Sequence, residues 1–274
     1  MMKRYMTLVL TCITLLMHAG IPSSISSASL SLSIYGSDAF YMLIPVGSGK
    51  YTMIDVKRGF QSLGTYDYHY TSPTASLQVT DGGNGPLDFQ LRYVQGDAGI
   101  FDVTSPVFPG SSSGEFLALQ GKARGSINGY TLQLTVTEGT RPFATGRNSV
   151  LMFNKNGTYT AVGYFANVNS IGTYYYRKLN SSTAVLYLND YAYGHSTIYL
   201  PFKDNASGIY AAVQGYDAAY NGFYYYKNNK WYSSVKYFYY DIWYGTYYYN
   251  TREREDWEWH PGYQIGHFEF VKYQ

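Results

Sequence analysis

The chain has 274 residues, enough for two ordinary domains or one large all-β domain, and 14% of them are charged while 19% are aromatic. This composition excludes generic disorder, because disordered chains have few aromatic residues and a high net charge. The net charge of +2 includes no block of basic residues, which argues against a nucleic-acid partner.

Residues 1–28 have the pattern of a secretory signal peptide. A basic pair precedes an apolar run from Met6 to Met17, which has the length of a signal h-region and is too short to span a bilayer. Small residues follow, and we predict cleavage after Ala28, with Ala19 as the alternative. We therefore expect a secreted, periplasmic or cell-surface protein without a transmembrane anchor.

The single cysteine, Cys12, lies in the apolar run and would leave with the signal peptide. The mature chain would then have no disulfide, iron–sulfur cluster, cysteine nucleophile or cysteine-ligated zinc. Its stability must come from packing and hydrogen bonds.

The next two segments of the chain repeat each other at an offset of about 108 residues. Gly64–Tyr68 returns as Gly172–Tyr176, and Thr74–Asp81 returns as Thr183–Asp190. Shorter matches pair Leu30–Ile34 with Leu132–Val136, Gly49–Thr52 with Gly157–Thr160, Leu91–Tyr93 with Leu200–Phe202, and Gly99–Phe101 with Gly208–Tyr210. These matches predict a duplicated unit, residues 29–119 and residues 120–226.

Each unit is predicted to be a succession of short antiparallel strands. Apolar and polar residues alternate in Leu77–Thr80 and in Leu132–Val136, which is the period of a half-buried strand. About eight strands are predicted in the second unit, beginning near Tyr130, Val150, Thr158, Gly172, Thr183, Thr197, Gly208 and Gly222. The predicted fold class is all-β: two tandem antiparallel small barrels or sandwiches, with a hairpin-rich aromatic extension at the C-terminus.

The order of motifs in both units resembles a known group of folds. A Gly-x-Tyr strand, Gly-Thr-Tyr-x-Tyr and Thr-Ala-x-Leu-x-hydrophobic-x-Asp precede an apolar strand and Gly-hydrophobic-aromatic. This order is similar to that of calycin-type modules, the lipocalin-like small barrels of exported bacterial proteins that include MoaF-like domains. The resemblance covers Gly49–Phe116 and Gly157–Phe223, implies a barrel that holds a small ligand at its mouth, and supplies no catalytic residue.

Residues 227–274 form an extension of different composition. An aromatic run from Trp231 to Tyr249 contains another Gly-Thr-Tyr-Tyr-Tyr, which indicates a truncated further copy of the unit. Exposed aromatic rings contribute much of the energy at interfaces, and a low charge favours neutral ligands. We therefore predict a glycan or an envelope or extracellular partner, although core packing explains most tyrosines. The predicted ligand-binding residues are Trp231, Tyr237, Tyr239, Trp243, Trp257 and Trp259.

A hairpin is predicted near the C-terminus, because strictly alternating residues flank Pro261-Gly262. It would place Glu258 and His260 opposite Glu269 and His267 on one face, with Trp257, Trp259, Phe268 and Phe270 on the other. Two imidazoles and two carboxylates suit zinc or another divalent cation. The simpler alternative is that these four side chains lie on a hydrated surface and screen one another.

Binding without catalysis is the function that the sequence favours. The two units repeat turn and core residues, but they repeat no acid, base or nucleophile at matched positions. One alternative is a hydrolase-like or metal-dependent enzyme that uses the four Glu and His residues of the hairpin. Another is a structural surface protein that self-assembles through its aromatic extension.

Overall fold

The computed structural model describes residues 22–81, 85–105, 110–140, 142–144, 148–165, 168–214, 222–227, 230–241, 246–255 and 262–272, and for 222–255 it describes the backbone. These residues form 19 strands arranged as two closed eight-stranded antiparallel barrels and one three-stranded sheet. The predicted all-β class is confirmed, and barrels rather than sandwiches form. No helix able to cross a membrane occurs among these residues.

Barrel 1 is built from consecutive strands, each paired with the next, and closes where β8 pairs with β1. Its strands are β1 (Ser29–Ile34), β2 (Phe40–Gly47), β3 (Lys50–Asp55), β4 (Phe60–Thr71), β5 (Thr74–Asp81), β6 (Gly85–Gln95), β7 (Ala98–Thr104) and β8 (Ser111–Leu119).

Barrel 2 repeats this order for seven strands and then takes its eighth strand from the C-terminal segment. Its strands are β9 (Tyr130–Gly139), β10 (Ser149–Phe153), β11 (Thr158–Phe165), β12 (Val168–Lys178), β13 (Thr183–Asp190), β14 (Gly194–Pro201), β15 (Ser207–Gln214) and β19 (Tyr263–Lys272). The last of these lies between β15 and β9 and closes the barrel.

The three-stranded sheet is an insertion between the seventh and eighth strands of barrel 2. It consists of β16 (Gly222–Lys227), β17 (Lys230–Asp241) and β18 (Thr246–Glu255), with β17 in the middle. The sequence predicted a unit that ends at residue 226 and a separate extension at 227–274. The structure differs: the strand predicted near Gly222 lies in the inserted sheet, and the end of the extension lies in barrel 2.

Matched residues of the two barrels pair in the same strand register. Gly64 lies opposite Asp81 in barrel 1, and Gly172 lies opposite Asp190 in barrel 2. The duplicated unit predicted from the sequence therefore folds twice into the same barrel.

A glycine on the eighth strand of each barrel makes room for an aromatic ring of the seventh. A Cβ on Gly114 would lie 2.6 Å from the ring of Phe101, and a Cβ on Gly266 would lie 3.0 Å from the ring of Tyr210. Such aromatic cover of a strand glycine helps to fix the strand register.

The segment before β1 closes one end of barrel 1. Ile25 and Ala28 are fully buried in the barrel core, and the hydroxyl of Tyr68 donates a 2.9 Å hydrogen bond to the carbonyl oxygen of Pro22. Residues 22–28 therefore pack as part of this barrel, although the predicted signal peptide extends to Ala28.

Residues 120–129 close barrel 2 in the same way. Ile127 is buried in its core, and the hydroxyl of Tyr176 donates a 2.9 Å hydrogen bond to the carbonyl oxygen of Arg124. The repeat in the structure thus begins about seven residues before the first strand of each barrel.

Large side chains fill the interior of both barrels, as is usual for barrels of eight strands. The hydroxyls of buried tyrosines find polar partners: Tyr159 donates a 2.7 Å hydrogen bond to Asp190, and Tyr210 donates a 3.0 Å hydrogen bond to Gln264. The buried rings include Tyr51 and Phe101 in barrel 1 and Phe143, Phe153, Tyr159, Tyr164, Phe165, Phe202 and Tyr210 in barrel 2. Packing explains these tyrosines, as predicted.

The outer faces of the two barrels contact each other through an apolar cluster. Barrel 1 contributes Met42, Ile44, Ile54 and Val56, and barrel 2 contributes Val185, Tyr199, Ala211, Val213, Tyr263 and Ile265. Next to this cluster, the side-chain amide of Asn180 in barrel 2 donates a 2.9 Å hydrogen bond to the carbonyl oxygen of Pro45 in barrel 1.

Candidate functional site

The aromatic residues predicted to bind a ligand belong to the insertion. Trp231, Tyr237 and Tyr239 lie on β17, where their backbones pair with Tyr226, Asn250 and Tyr248. Trp243, Trp257 and Trp259 lie outside the described residues.

The insertion distinguishes barrel 2 from barrel 1. Residues 105–110 connect the seventh and eighth strands in barrel 1, whereas residues 215–262 connect them in barrel 2. The longer connection contains all four tryptophans and 13 of the 34 tyrosines of the chain. Connections between strands tolerate insertions and are where scaffolds usually carry their binding residues.

A second aromatic feature lies on the outer surface of barrel 2. The rings of Tyr175 and Tyr187 stack across β12 and β13 with centroids 6.1 Å apart, and their side chains are 61% and 39% exposed. The matched pair in barrel 1 is Asp67 and Gln78, which lie opposite each other in the same register. Barrel 2 therefore exposes aromatic surface where barrel 1 is polar.

Both edges of β19, the second arm of the predicted C-terminal hairpin, are occupied by the barrel strands β15 and β9. His267 pairs with Ile209 on one side and Thr135 on the other, and Glu269 pairs with Ser207 and Gln133. The predicted partners Glu258 and His260 lie outside the described residues. In the part of the chain that the structure describes, no three His, Cys, Asp or Glu side chains come together as metal ligands.

The alternation predicted for this strand is correct. Phe268 and Phe270 are 2% and 4% exposed and point into the core of barrel 2, whereas His267 and Glu269 are exposed on its outer face. The pattern gave the face of each side chain, but it gave the wrong neighbouring strand.

His267 and Glu269 line a cleft of about 430 Å³ between the barrels. The outer face of β19 is covered by barrel 1 at Tyr263 and Ile265. From His267 onward this face of β19 is exposed, and it forms the floor of the cleft.

The floor of the cleft consists of two rows of side chains across three adjacent strands. One row is Ser207, Glu269 and Gln133, and the other is Ile209, His267 and Thr135. Leu117, Leu119 and Asp97 of barrel 1 form the opposite wall, and Lys203 also lines the cleft. Of these lining residues, only His267 and Glu269 are among those predicted from the sequence.

The matched rows of barrel 1 have different chemistry. Its register places Ala98, Leu117 and Ser31 where barrel 2 has Ser207, Glu269 and Gln133. Comparing the two repeats position by position would have revealed this difference, had the eighth strand been assigned to the second repeat.

No protein-family model matches this sequence, and no curated protein matches it. The features that bear on function are the insertion, the cleft and the differences between the two repeats.

Proposed function

We propose that this protein is an exported binding module that recognises a neutral glycan through the aromatic residues of its insertion. The two barrels serve as the scaffold, and no catalytic step is assigned to them.

The observation that carries this proposal is the unequal connection between the seventh and eighth strands of the two barrels. Residues 105–110 suffice to join these strands in barrel 1, so residues 215–262 exceed what closure of barrel 2 requires. They hold every tryptophan of the chain. Tryptophan and tyrosine bury large surface with little conformational entropy to lose, which makes them common anchors of binding sites.

Two further features support a neutral ligand. Charged residues make up only 14% of the chain, so a partner bound by ion pairs is disfavoured. The stacked pair Tyr175 and Tyr187 also replaces a polar pair of barrel 1. Flat aromatic surface of this kind suits the apolar faces of sugar rings.

Export belongs to the same proposal. Residues 1–19 retain the charged start and apolar run of a signal peptide when Ala19 is the cleavage site. The module would then meet its glycan outside the cytoplasm, in the periplasm, at the cell surface or in the medium.

The test replaces residues 215–262 with residues 105–110, the connection that barrel 1 itself uses. Both proteins are applied to an array of neutral polysaccharides and oligosaccharides, and thermal unfolding is followed by circular dichroism. We expect the full chain to bind and the shortened chain to lose binding while its unfolding stays cooperative. Retained binding by the shortened chain would contradict the proposal.

Tryptophan fluorescence provides a second readout that needs no shortened chain. Because all four tryptophans lie in residues 231–259, a glycan bound at the insertion should change the emission of the full-length protein. Trp231→Ala and Trp243→Ala should each weaken the array binding at least fivefold, whereas Tyr35→Ala on barrel 1 should leave it unchanged. An array-positive glycan that left the emission of the unmodified protein unchanged would place recognition elsewhere.

A further inference from the structure

We propose that the cleft between the barrels is a separate binding site for a small neutral polyhydroxylated ligand of one or two sugar rings. The insertion is attached at the opposite ends of β15 and β19. The six residue steps from Ser207 to Val213 separate the two places by about 20 Å along the strand.

The size of the cleft fits such a ligand. Its volume of about 430 Å³ lies in the range of small-molecule sites, roughly 300–1,000 Å³.

The row Ser207–Glu269–Gln133 supplies hydrogen-bonding groups about 5 Å apart on neighbouring strands. The Ser207 hydroxyl donates its proton to Asp204 over 2.6 Å and can still accept a hydrogen bond. A carboxylate accepts, and a primary amide both donates and accepts. Such a row complements successive hydroxyls, each of which also donates and accepts. In the part of the chain that the structure describes, the side chains of Glu269 and Gln133 make no hydrogen bond with another residue, so they are free to bind a ligand.

The remaining lining favours a ligand that is partly apolar and has no negative charge. Leu117 and Ile209 are half-buried and present aliphatic surface to the C–H groups of a ring. The carboxylates of Asp97 and Glu269 are offset in part by Lys203. Among the described residues, no arginine lines the cleft, so they do not provide the bidentate donors typical of carboxylate and phosphate sites.

The two repeats differ at this row while their cores agree. In barrel 1 the matched side chains are those of Ala98, Leu117 and Ser31, so barrel 1 does not have this row of three hydrogen-bonding groups. The same barrel fold thus occurs with different side chains at this row, so the fold alone does not account for the polar set of barrel 2.

The test is saturation-transfer NMR on the full-length protein with glucose, galactose, mannose, N-acetylglucosamine, cellobiose and maltose as separate probes. Glucuronate and glucosamine serve as charged probes. We expect at least one neutral sugar to receive saturation. The triple variant Ser207→Ala, Glu269→Leu, Gln133→Ser, which installs the row of barrel 1, should reduce that signal at least fivefold.

Glu269→Gln keeps the shape of the side chain and should reduce the signal at least threefold, which guards against a triple variant that fails to fold. Glu115→Gln, on the outer face of β8 but outside the cleft, is the matched control and should have no effect. The proposal would be overturned if only the charged probes, or none of the probes, received saturation. It would also be overturned if both cleft variants left the signal unchanged. The chain shortened at 215–262 should retain this signal, so failure of the glycan proposal and failure of this one are distinguishable.

Discussion

The ammonium group of Lys57 lies 2.5 Å from the carboxylate of Glu138 and links barrel 1 to barrel 2 beside their apolar contact. The lysine side chain is only 13% exposed, and it also contacts Asp38 at 2.5 Å and lies 5.5 Å from the centroid of the Tyr263 ring. Burial alone would lower the pKa of Lys57, but hydrogen bonds to Asp38 and Glu138 outweigh it and raise the pKa.

We expect Lys57→Met to destabilise the protein by about 1.5–3 kcal/mol, the usual contribution of a hydrogen bond to a charged group. The loss should appear as a lower midpoint of urea unfolding. Lys50→Met is the control on β3: Lys50 is exposed, so its change should stay within about 0.5 kcal/mol. Equal midpoints for the two variants would show that the Lys57 contact does not hold the barrels together.

Alkaline pH should destabilise the protein through its buried tyrosines. Burial raises the pKa of Tyr199 to about 12, and burial with the hydrogen bond to Glu138 raises the pKa of Tyr263 to about 12, from an ordinary value of 10.0. Between about pH 10 and pH 12 these two tyrosines keep their protons in the folded state and lose them in the unfolded state. The free energy of unfolding is therefore highest below about pH 10 and falls as the pH rises above it. The urea midpoint should therefore be constant from about pH 8 to 9.5 and then decrease.

Tyrosinate absorbance provides the check on this pH dependence. The buried tyrosines should ionise together with the loss of the circular dichroism signal, later than the exposed ones. Tyr199→Phe should make the decrease of the urea midpoint above about pH 10 less steep. Ionisation of all tyrosines before unfolding begins would contradict the burial of these rings.

Gly266→Ala should be strongly destabilising. A Cβ at this position would lie 2.0 Å from the carbonyl oxygen of Thr135 and 3.0 Å from the ring of Tyr210, so β19 or its neighbours must move. Overpacking of this kind costs about 1–3 kcal/mol, and Gly114→Ala should have a similar effect in barrel 1. Gly125→Ala, where no atom lies within 4 Å of the added Cβ, should leave the urea midpoint almost unchanged.

Signal cleavage should leave Ile25 on the mature protein. Ile25 is fully buried in the core of barrel 1, so Ile25→Ala should cost about 2–5 kcal/mol. A chain that begins at Gly20 should therefore unfold at a higher urea concentration than one that begins at Ser29. N-terminal sequencing of the mature protein should find Gly20 as the first residue. A start at Ser29 would show that barrel 1 folds without residues 22–28.

Much of the fold could be predicted from the sequence because both copies of the unit keep the same turn residues and the same alternation of apolar and polar residues. The register of Gly172 with Asp190, for example, follows from its match with Gly64 and Asp81. The eighth strand was missed for a physical reason. Gly114-Glu115-Phe116 returns as Gly266-His267-Phe268, but the insertion moves the match to an offset of 152 residues.

The candidate site was only half predictable. Alternation places His267 and Glu269 together on an outer face, yet a β-strand pattern does not say which strand lies beside it. The cleft also depends on Leu117 and Asp97 of the other barrel, whose position is set by packing between two folded units. Local sequence patterns do not contain that information.

Because β19 follows the insertion in the chain, the two barrels cannot complete their folding at the same stage of synthesis. Barrel 1 has all eight of its strands once residue 119 has been made, whereas barrel 2 needs Tyr263–Lys272 to join β15 to β9. Until then β9 and β15 each expose a row of unpaired backbone groups, which are templates for pairing with other chains. A nascent or proteolysed chain that lacks the last strand should thus aggregate, and the late pairing of β19 is the step that removes both exposed edges.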